Sequence, residues 1–499
     1  MVNLSKLGGR GLVSDSPQAR GIRFGTDGWR DVIADGFTFQ RVRVVAWALA
    51  RYLQQVGWAE RGLAVGYDAR FLSDRFARAV AEVACGCGLS VHLPARHLPT
   101  PALAAYVVRH GLGGGVMVTA SHNPPEFNGL KFKPPYGGSA TTAITGPLQE
   151  EANRLLAQGD EPPAADLEAA ARAGRVRTWQ PEPEYLEVLL PRVDRELIRR
   201  ASLAVVADPM HGAARLVLAE ALRQAGCREV YLIRGDHNPA FGGVNPEPIE
   251  ANLTPLVQAV RERPGVAAGL AVDGDGDRIG AVDEQGRFVN AHQIFALLLV
   301  HLVERRGLRG RVVRTVNTTS MVDRLARQYG LELVETPVGF KHVGEQMLAG
   351  DVLIGGEESG GIGIAGHLPE RDGVLAALLL VEAMAATGRR LGELVADLER
   401  RVGPHAYGRL DIPAGDSQRA RLQERLASWR PARLDGVRVV DVRDLDGVKL
   451  LLEDGSWLMV RVSGTEPLVR VYAEAASPDA IRRLLDWGGR WVQQVCHGG

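Results

Sequence analysis

Residues 116 to 132 read VMVTASHNPPEFNGLKF. An apolar run of strand formers stops at Thr119, and a hydroxyl, an imidazole, an amide and two prolines follow: Ser121, His122, Asn123, Pro124 and Pro125. A buried strand that ends on a stiffened turn holds one serine at its carboxyl end. The pattern is that of an α/β sheet, in which ligands gather at the carboxyl ends of strands.

Working outward, the same grammar recurs. A short apolar strand, a polar loop and a helix are predicted at "GLAVGYDAR" with "SDRFARAVAEVACGCG", at "SLAVVADPMHGAARLVLAEALRQAG" and at "RVVRTVNTTSMVDRLARQYG". Each unit is followed by a second apolar strand ending in an unusual loop: "GGVMVTASHNP", "GLAVDGDGDR" and "VLIGGEESGG". This is a threefold repeat of pattern, not of identity. It predicts three similar α/β domains with mixed, largely parallel sheets. The last hundred residues differ: "GSWLMVRVSGTEPLVRVYAEA" reads as two strands around a polar loop, with a helix after it, in a smaller α+β domain. The expected boundaries are 1–178, 179–288, 289–399 and 400–499. Residues 1–20 read as a loose leader without the apolar core of a secretory signal. Thr38 and Ser73 are expected to cap helices, and Gly57 to end one. The segment 161–174 reads as an exposed helix or linker.

Bulk properties narrow the function. A chain of 499 residues with 59 basic and 59 acidic side chains has no formal net charge. Nothing in that balance calls for nucleic acid or an anionic membrane as partner. The stretch "VLAALLLVEAMAA" from Val374 is too short to span a bilayer and contains Glu382, so it reads as a buried helix. Four cysteines without metal-ligand spacing fit ordinary thiols and a cytoplasmic protein. The number of subunits is left open.

The loops carry the chemistry. Asp273, Asp275 and Asp277 alternate in "DGDGDR", so an extended loop can aim three hard oxygen donors at one Mg²⁺ or Ca²⁺ ion. An EF-hand would place Gly where Arg278 stands, and its flanks would be helical, whereas these read as strands. Three carboxylates leave room for a phosphate oxygen, and a phosphorylated Ser121 would supply one. A hydrolase elbow of the form G-x-S-x-G is absent around Ser121. In "RVSGTEP", residues 461–467, backbone amides, two hydroxyls and Arg461 can grip an anion. "GGEESGG", residues 355–361, offers carboxylates and a hydroxyl suited to sugar hydroxyls. Read alone, these two loops and "FGTDGWR" at 24–30 are equally compatible with plain turns. Lys131 can contribute charge or move a proton.

Taken together and in this order, "FGTDGWR", "TASHNP", "DGDGDR", "GEESGG" and "RVSGTEP" resemble the α-D-phosphohexomutase family, over nearly the whole chain. The resemblance implies four domains around a cleft. It implies a phosphoserine at Ser121 and one Mg²⁺ held by Ser121, Asp273, Asp275 and Asp277. Arg30, Lys131 and Arg278 would surround the reacting phosphate, and Lys131 and His122 are the candidate general bases, with Lys131 favoured. Glu357 and Ser359 would read the sugar, with Lys341, His367 and Arg371 on further substrate loops. Arg461, Ser463, Gly464 and Thr465 would hold the other phosphate. The implied reaction interconverts hexose 1-phosphate and hexose 6-phosphate through a hexose 1,6-bisphosphate, which also serves as activator. The sugar loop departs from the "GEQSGH" of phosphoglucosamine mutases, and Trp29 leans toward the glucose/mannose branch. A non-catalytic binder of phosphosugars with the same fold is the remaining alternative.

Overall fold

The computed structural model describes residues 21–25, 27–464 and 466–497. The expected leader lies outside the described residues. Four sheets are present. The first orders its strands Phe24–Gly25, Gly28–Val32, Phe127–Lys133, Gly115–Val118, Leu63–Tyr67, Val91–Pro94 and Val176–Trp179. The second runs Phe288–Val289, Ile279–Asp283, Val266–Val272, Ala204–Asp208 and Glu229–Leu232. The third runs Leu333–Thr336, Arg311–Thr315, Val352–Gly356 and Ile362–Ile364.

The three share one motif. A central strand pairs in parallel with a neighbour on each side, as Leu63–Tyr67 does with Val91–Pro94 and Gly115–Val118. Ala204–Asp208 and Arg311–Thr315 do the same in their sheets. The last parallel strand then turns back into an antiparallel partner. The three unusual loops are these turns, so the repeat places each at the same end of its sheet. The inner parallel strands Gly115–Val118, Ala204–Asp208 and Val352–Gly356 are fully buried, as expected where helices cover both faces. The fourth sheet is antiparallel throughout, ordered Ala406–Pro413, Leu468–Ala475, Trp457–Val462, Val448–Leu452, Val437–Arg443 and Arg433–Leu434. Helix Pro478–His497 covers it.

Local expectations divide. Thr38 caps helix Phe39–Gln55, its side chain accepting from the Arg41 amide, and Gly57 lies just past the end. Ser73 is not a cap but the first residue of helix Ser73–Gly86; its hydroxyl donates instead to Asp68. The alanine-rich segment near 165 forms helix Leu167–Arg172, with Leu167 and Ala170 buried in the first core. Strand Val176–Trp179 then extends the first sheet. Helix Gly373–Thr387 is buried, and its Glu382 accepts from His301, Arg306 and the Asp194 amide. No described helix is long and apolar enough to cross a membrane. All four cysteines are free, and burial pushes the Cys87 and Cys227 thiols up to about 11 and about 12.

Candidate active site

The serine turn is fastened from below. Ser121 sits in the left-handed region, at φ 54°, and its amide donates to Thr119 Oγ1 at 2.9 Å. Arg70, a residue the sequence reading passed over, donates to four carbonyls of this turn: Ser121 and Asn123 at 2.6 Å, Pro124 at 2.8 Å and Phe127 at 3.1 Å. Asp68 pairs with Arg70 and accepts from Thr119 and Ser73. A buried guanidinium that gathers carbonyls on one side gives the unusual backbone of Ser121 its support.

The acidic loop meets the serine directly. Ser121 Oγ donates to Asp273 Oδ2 at 2.9 Å, across 152 positions of chain. A Cβ on Gly274 would lie 2.3 Å from the Ser121 carbonyl oxygen, so glycine is needed for this approach. Asp273, Asp275 and Asp277 offer ligand oxygens within 4.8 Å of one another, and all three are fully buried. The flanks of the loop are strands Val266–Val272 and Ile279–Asp283, which excludes an EF-hand. Glu284 points elsewhere, accepting from the Gly392 amide.

These residues fit a divalent cation. Among the described residues, Oδ1 of Asp275 and Oδ1 of Asp277 are buried without a hydrogen-bond partner. Burial, then the charges of Asp277 and Asp275, push the Asp273 carboxyl well above its usual range. Such crowding is what a cation relieves. Thr100 steadies the loop by donating to Asp275 Oδ2 at 2.5 Å.

Basic groups close around this centre. Lys131, 1% exposed, reaches Asp27 at 2.7 Å, Asp275 at 2.8 Å and Asp277 at 3.2 Å. Burial opposes its charge, but the three carboxylates outweigh it and raise its pKa. Arg30 donates to the Asn123 side chain at 2.7 Å. Arg278 lies 3.8 to 3.9 Å from Asp277 and Asp273, and its Nε has no hydrogen-bond partner among the described residues. The His122 ring stands 3.5 Å from Ser121 Oγ. Burial, then Arg278 and Arg30, hold it well below the usual imidazole range.

The third domain contributes Glu357, buried, and Ser359, half-buried. Arg371 is enclosed by carboxylates: it touches Asp27, lies 2.8 Å from Asp277 and 3.3 Å from Glu357, and faces Glu370. His367 contacts Asp372 at 2.8 Å, and Lys341 donates to Thr142 at 3.1 Å, nearer the surface. In the fourth domain Arg461 pairs with Asp446 at 2.9 Å. Ser463 is buried and Gly464 exposed; Thr465 lies outside the described residues. Arg409 of the same domain faces Glu358 at 3.4 Å, so the fourth sheet borders the sugar loop. Asp27, Asp68, Arg70, Thr100 and Glu370 were not among the expected site residues; Asp27 lies inside the 24–30 motif, and no spacing sets the others apart.

Models described as phosphoglucomutase/phosphomannomutase alpha/beta/alpha domains I, II and III match residues 21–158, 183–286 and 290–402. The C-terminal domain of the same set matches 419–486. The chain belongs to the α-D-phosphohexomutase superfamily. Its members are sugar-phosphate mutases that work through a phosphorylated intermediate. A phosphoglucomutase/phosphomannomutase of Thermococcus kodakarensis is 30% identical over 484 residues, 96% of this chain and all of the relative. A phosphoglucosamine mutase of Halorhodospira halophila is 32% identical over 479 residues, 95% of this chain and 97% of the relative. A crystal structure from Thermus thermophilus, assigned as a phosphomannomutase, superposes with a TM-score of 0.82 at 38% identity. It covers 95% of this chain and 99% of that one. The phosphohexomutase fold of four domains, three alike and one smaller, is therefore established for this sequence.

Proposed function

We propose that the protein interconverts hexose 1-phosphate and hexose 6-phosphate by passing a phosphoryl group through Ser121. The observation that carries this is the 2.9 Å contact between Ser121 Oγ and the buried aspartate triplet. Asp273, Asp275 and Asp277 would hold Mg²⁺ together with the serine phosphate, and the ion supplies charge neutralisation to phosphoryl transfer.

The residues of the chain do the rest. Phosphorylated Ser121 presents its group to the free hydroxyl of the sugar. A phosphorus–oxygen bond forms to that hydroxyl as the bond to Oγ breaks. The proton leaving the sugar hydroxyl passes through the Lys131 network, and Ser121 Oγ regains one. His122, whose ring stands 3.5 Å from Ser121 Oγ, orients that oxygen. Arg30 and Arg278 offset the charge of the group in flight, since phosphoryl transfer depends on alignment and neutralisation. The hexose 1,6-bisphosphate reverses within the cleft, and its second phosphate returns to Ser121. Glu357 and Ser359 read ring hydroxyls. Arg461, Ser463, Gly464 and Thr465 clamp the phosphate that does not react, whichever end it occupies.

Glucose and mannose phosphates are the favoured substrates, on the strength of "GEESGG" and Trp29. The similarity to a relative named phosphoglucosamine mutase keeps the amino sugar as a second reading. A coupled assay tests both. Glucose 1-phosphate, mannose 1-phosphate and glucosamine 1-phosphate are compared with Mg²⁺ and a trace of the matching bisphosphate. Turnover of the first two above the third is expected. Preference for the third assigns the amino sugar, and turnover of none overturns the proposal. Intact-mass measurement should show one phosphate on Ser121, removable by substrate.

A further inference from the structure

Asp27 lies in the turn between strands Phe24–Gly25 and Gly28–Val32, within the first motif of the sequence but not among its expected site residues. Its carboxylate contacts the Lys131 ammonium at 2.7 Å and the Arg371 guanidinium, both through Oδ2. Oδ1 accepts from Ser139 at 3.4 Å and lies 3.7 Å from Lys133. Arg371 continues to Glu357 at 3.3 Å, and Lys133 pairs with Glu370, both ends of that pair fully buried. One side chain of the first domain thus joins the proton-moving group to the sugar loop of the third.

We propose that Asp27 is a positioning residue: it holds the Lys131 ammonium outside the aspartate triplet and in register with Arg371 and Glu357. The inference deepens the mutase reading and rests on it. The argument is one of counter-charges. Lys131 has three carboxylate partners among the described residues, and two of them, Asp275 and Asp277, belong to the candidate cation site. Asp275 and Asp277 meet the ammonium through Oδ2, while their unpartnered Oδ1 atoms are the ones left for a cation. A bound cation therefore draws on the charge of both carboxylates, and Asp27 is the one partner of the three that it does not share. Without it, the ammonium would fall back on Asp275 and Asp277 and compete with the cation.

The test uses the full-length protein and its Asp27→Asn and Asp27→Glu variants. Asp27→Asn should lower kcat for glucose 1-phosphate by about 10- to 100-fold, the usual scale for groups that orient a reactive side chain. KM should stay close to wild type, while the melting temperature should fall, because a buried ion pair loses one partner. Calorimetric titration with Mg²⁺ alone should show affinity at least several-fold weaker. Asp27→Glu, which returns the charge on a longer arm, should recover part of both losses. An asparagine variant with wild-type kcat and Mg²⁺ affinity overturns the proposal. So does a kcat loss that only tracks melting and is not recovered by glutamate. If Asp27→Asn does not fold, Asp27→Glu decides alone: a lower kcat at unchanged melting temperature supports the role, and an unchanged kcat ends it. Wild-type protein without mutase turnover on any of the three sugar phosphates would instead defeat the mutase reading.

Discussion

Lys131 and Lys449 are 1% and 2% exposed, and their surroundings are opposite. Lys131 stands among Asp27, Asp275 and Asp277 where three domains meet. Lys449 lies at the seam between the third and fourth domains. Its ammonium donates to the Val316 carbonyl at 2.7 Å and sits 4.1 Å from the Trp457 ring. Burial, then the Arg314 charge, push its pKa down to about 7, against partial support from Glu335, Asp323 and Glu474. Burial acts on both lysines in the same direction, and the partners decide the sign. The candidate centre is an electrostatic junction of three domains. The seam combines an apolar contact of Val316, Trp457, Met459 and Tyr472 with polar pairs such as Arg443–Glu335 and Ser320–Glu474.

The contrast can be attacked from both sides. Ser121→Ala should abolish mutase turnover while circular dichroism and melting remain those of the wild type. Full turnover by that variant would remove the centre from the chemistry altogether. Lys131→Met should cost activity and stability together, because it strands buried carboxylates. We expect a kcat loss of about 10²- to 10⁴-fold and about 3–5 kcal/mol of stability. A variant as stable as wild type would show that the three carboxylates do not depend on this ammonium. Arg461→Ala removes a charge-assisted donor worth about 1.5–3 kcal/mol. KM should rise about tenfold or more, and equally for the 1- and 6-phosphates, since one clamp serves both orientations. A change confined to one isomer would break the shared clamp.

The smallest effect belongs to the seam. Lys449→Met replaces a lysine held by a carbonyl and a ring with an apolar chain of similar length, so near pH 7 it should raise the melting temperature. The wild type releases the Lys449 proton near pH 7 when folded, whereas an exposed lysine releases it near 10.4. Between those values the unfolded chain binds more protons, so wild-type stability gains up to about 1.4 kcal/mol per pH unit from this residue as pH rises. Melting curves of both proteins from pH 7 to 9 should therefore converge. A constant gap would show that Lys449 does not titrate in that range.

Much of the fold was legible because the repeat writes itself in local chemistry. Strand formers, a polar loop and an amphipathic helix recur three times, and the loops that follow stand at strand ends. Ser73 was misread for a reason that lies outside its own helix. Serine before an apolar period is a standard cap, but here Asp68 at the end of the preceding strand takes the hydroxyl. Arg70 was invisible as a brace because four carbonyls carry no sequence signature. Glu382 was legible as buried, yet its partners His301, Arg306 and Asp194 come from distant segments.

The sequence by itself determined which residue types could hold a cation, present a phosphoryl acceptor and grip a phosphate. Those properties depend on donors a few positions apart on one loop, and short-range spacing fixes them. Only the tertiary structure decided that Ser121 meets Asp273, that Lys131 stands between Asp27 and the triplet, and that Arg371 ties the sugar loop to both. Those contacts join loops that lie from nearly a hundred to more than three hundred positions apart, and whether a buried charge keeps its proton depends on the neighbours that packing delivers.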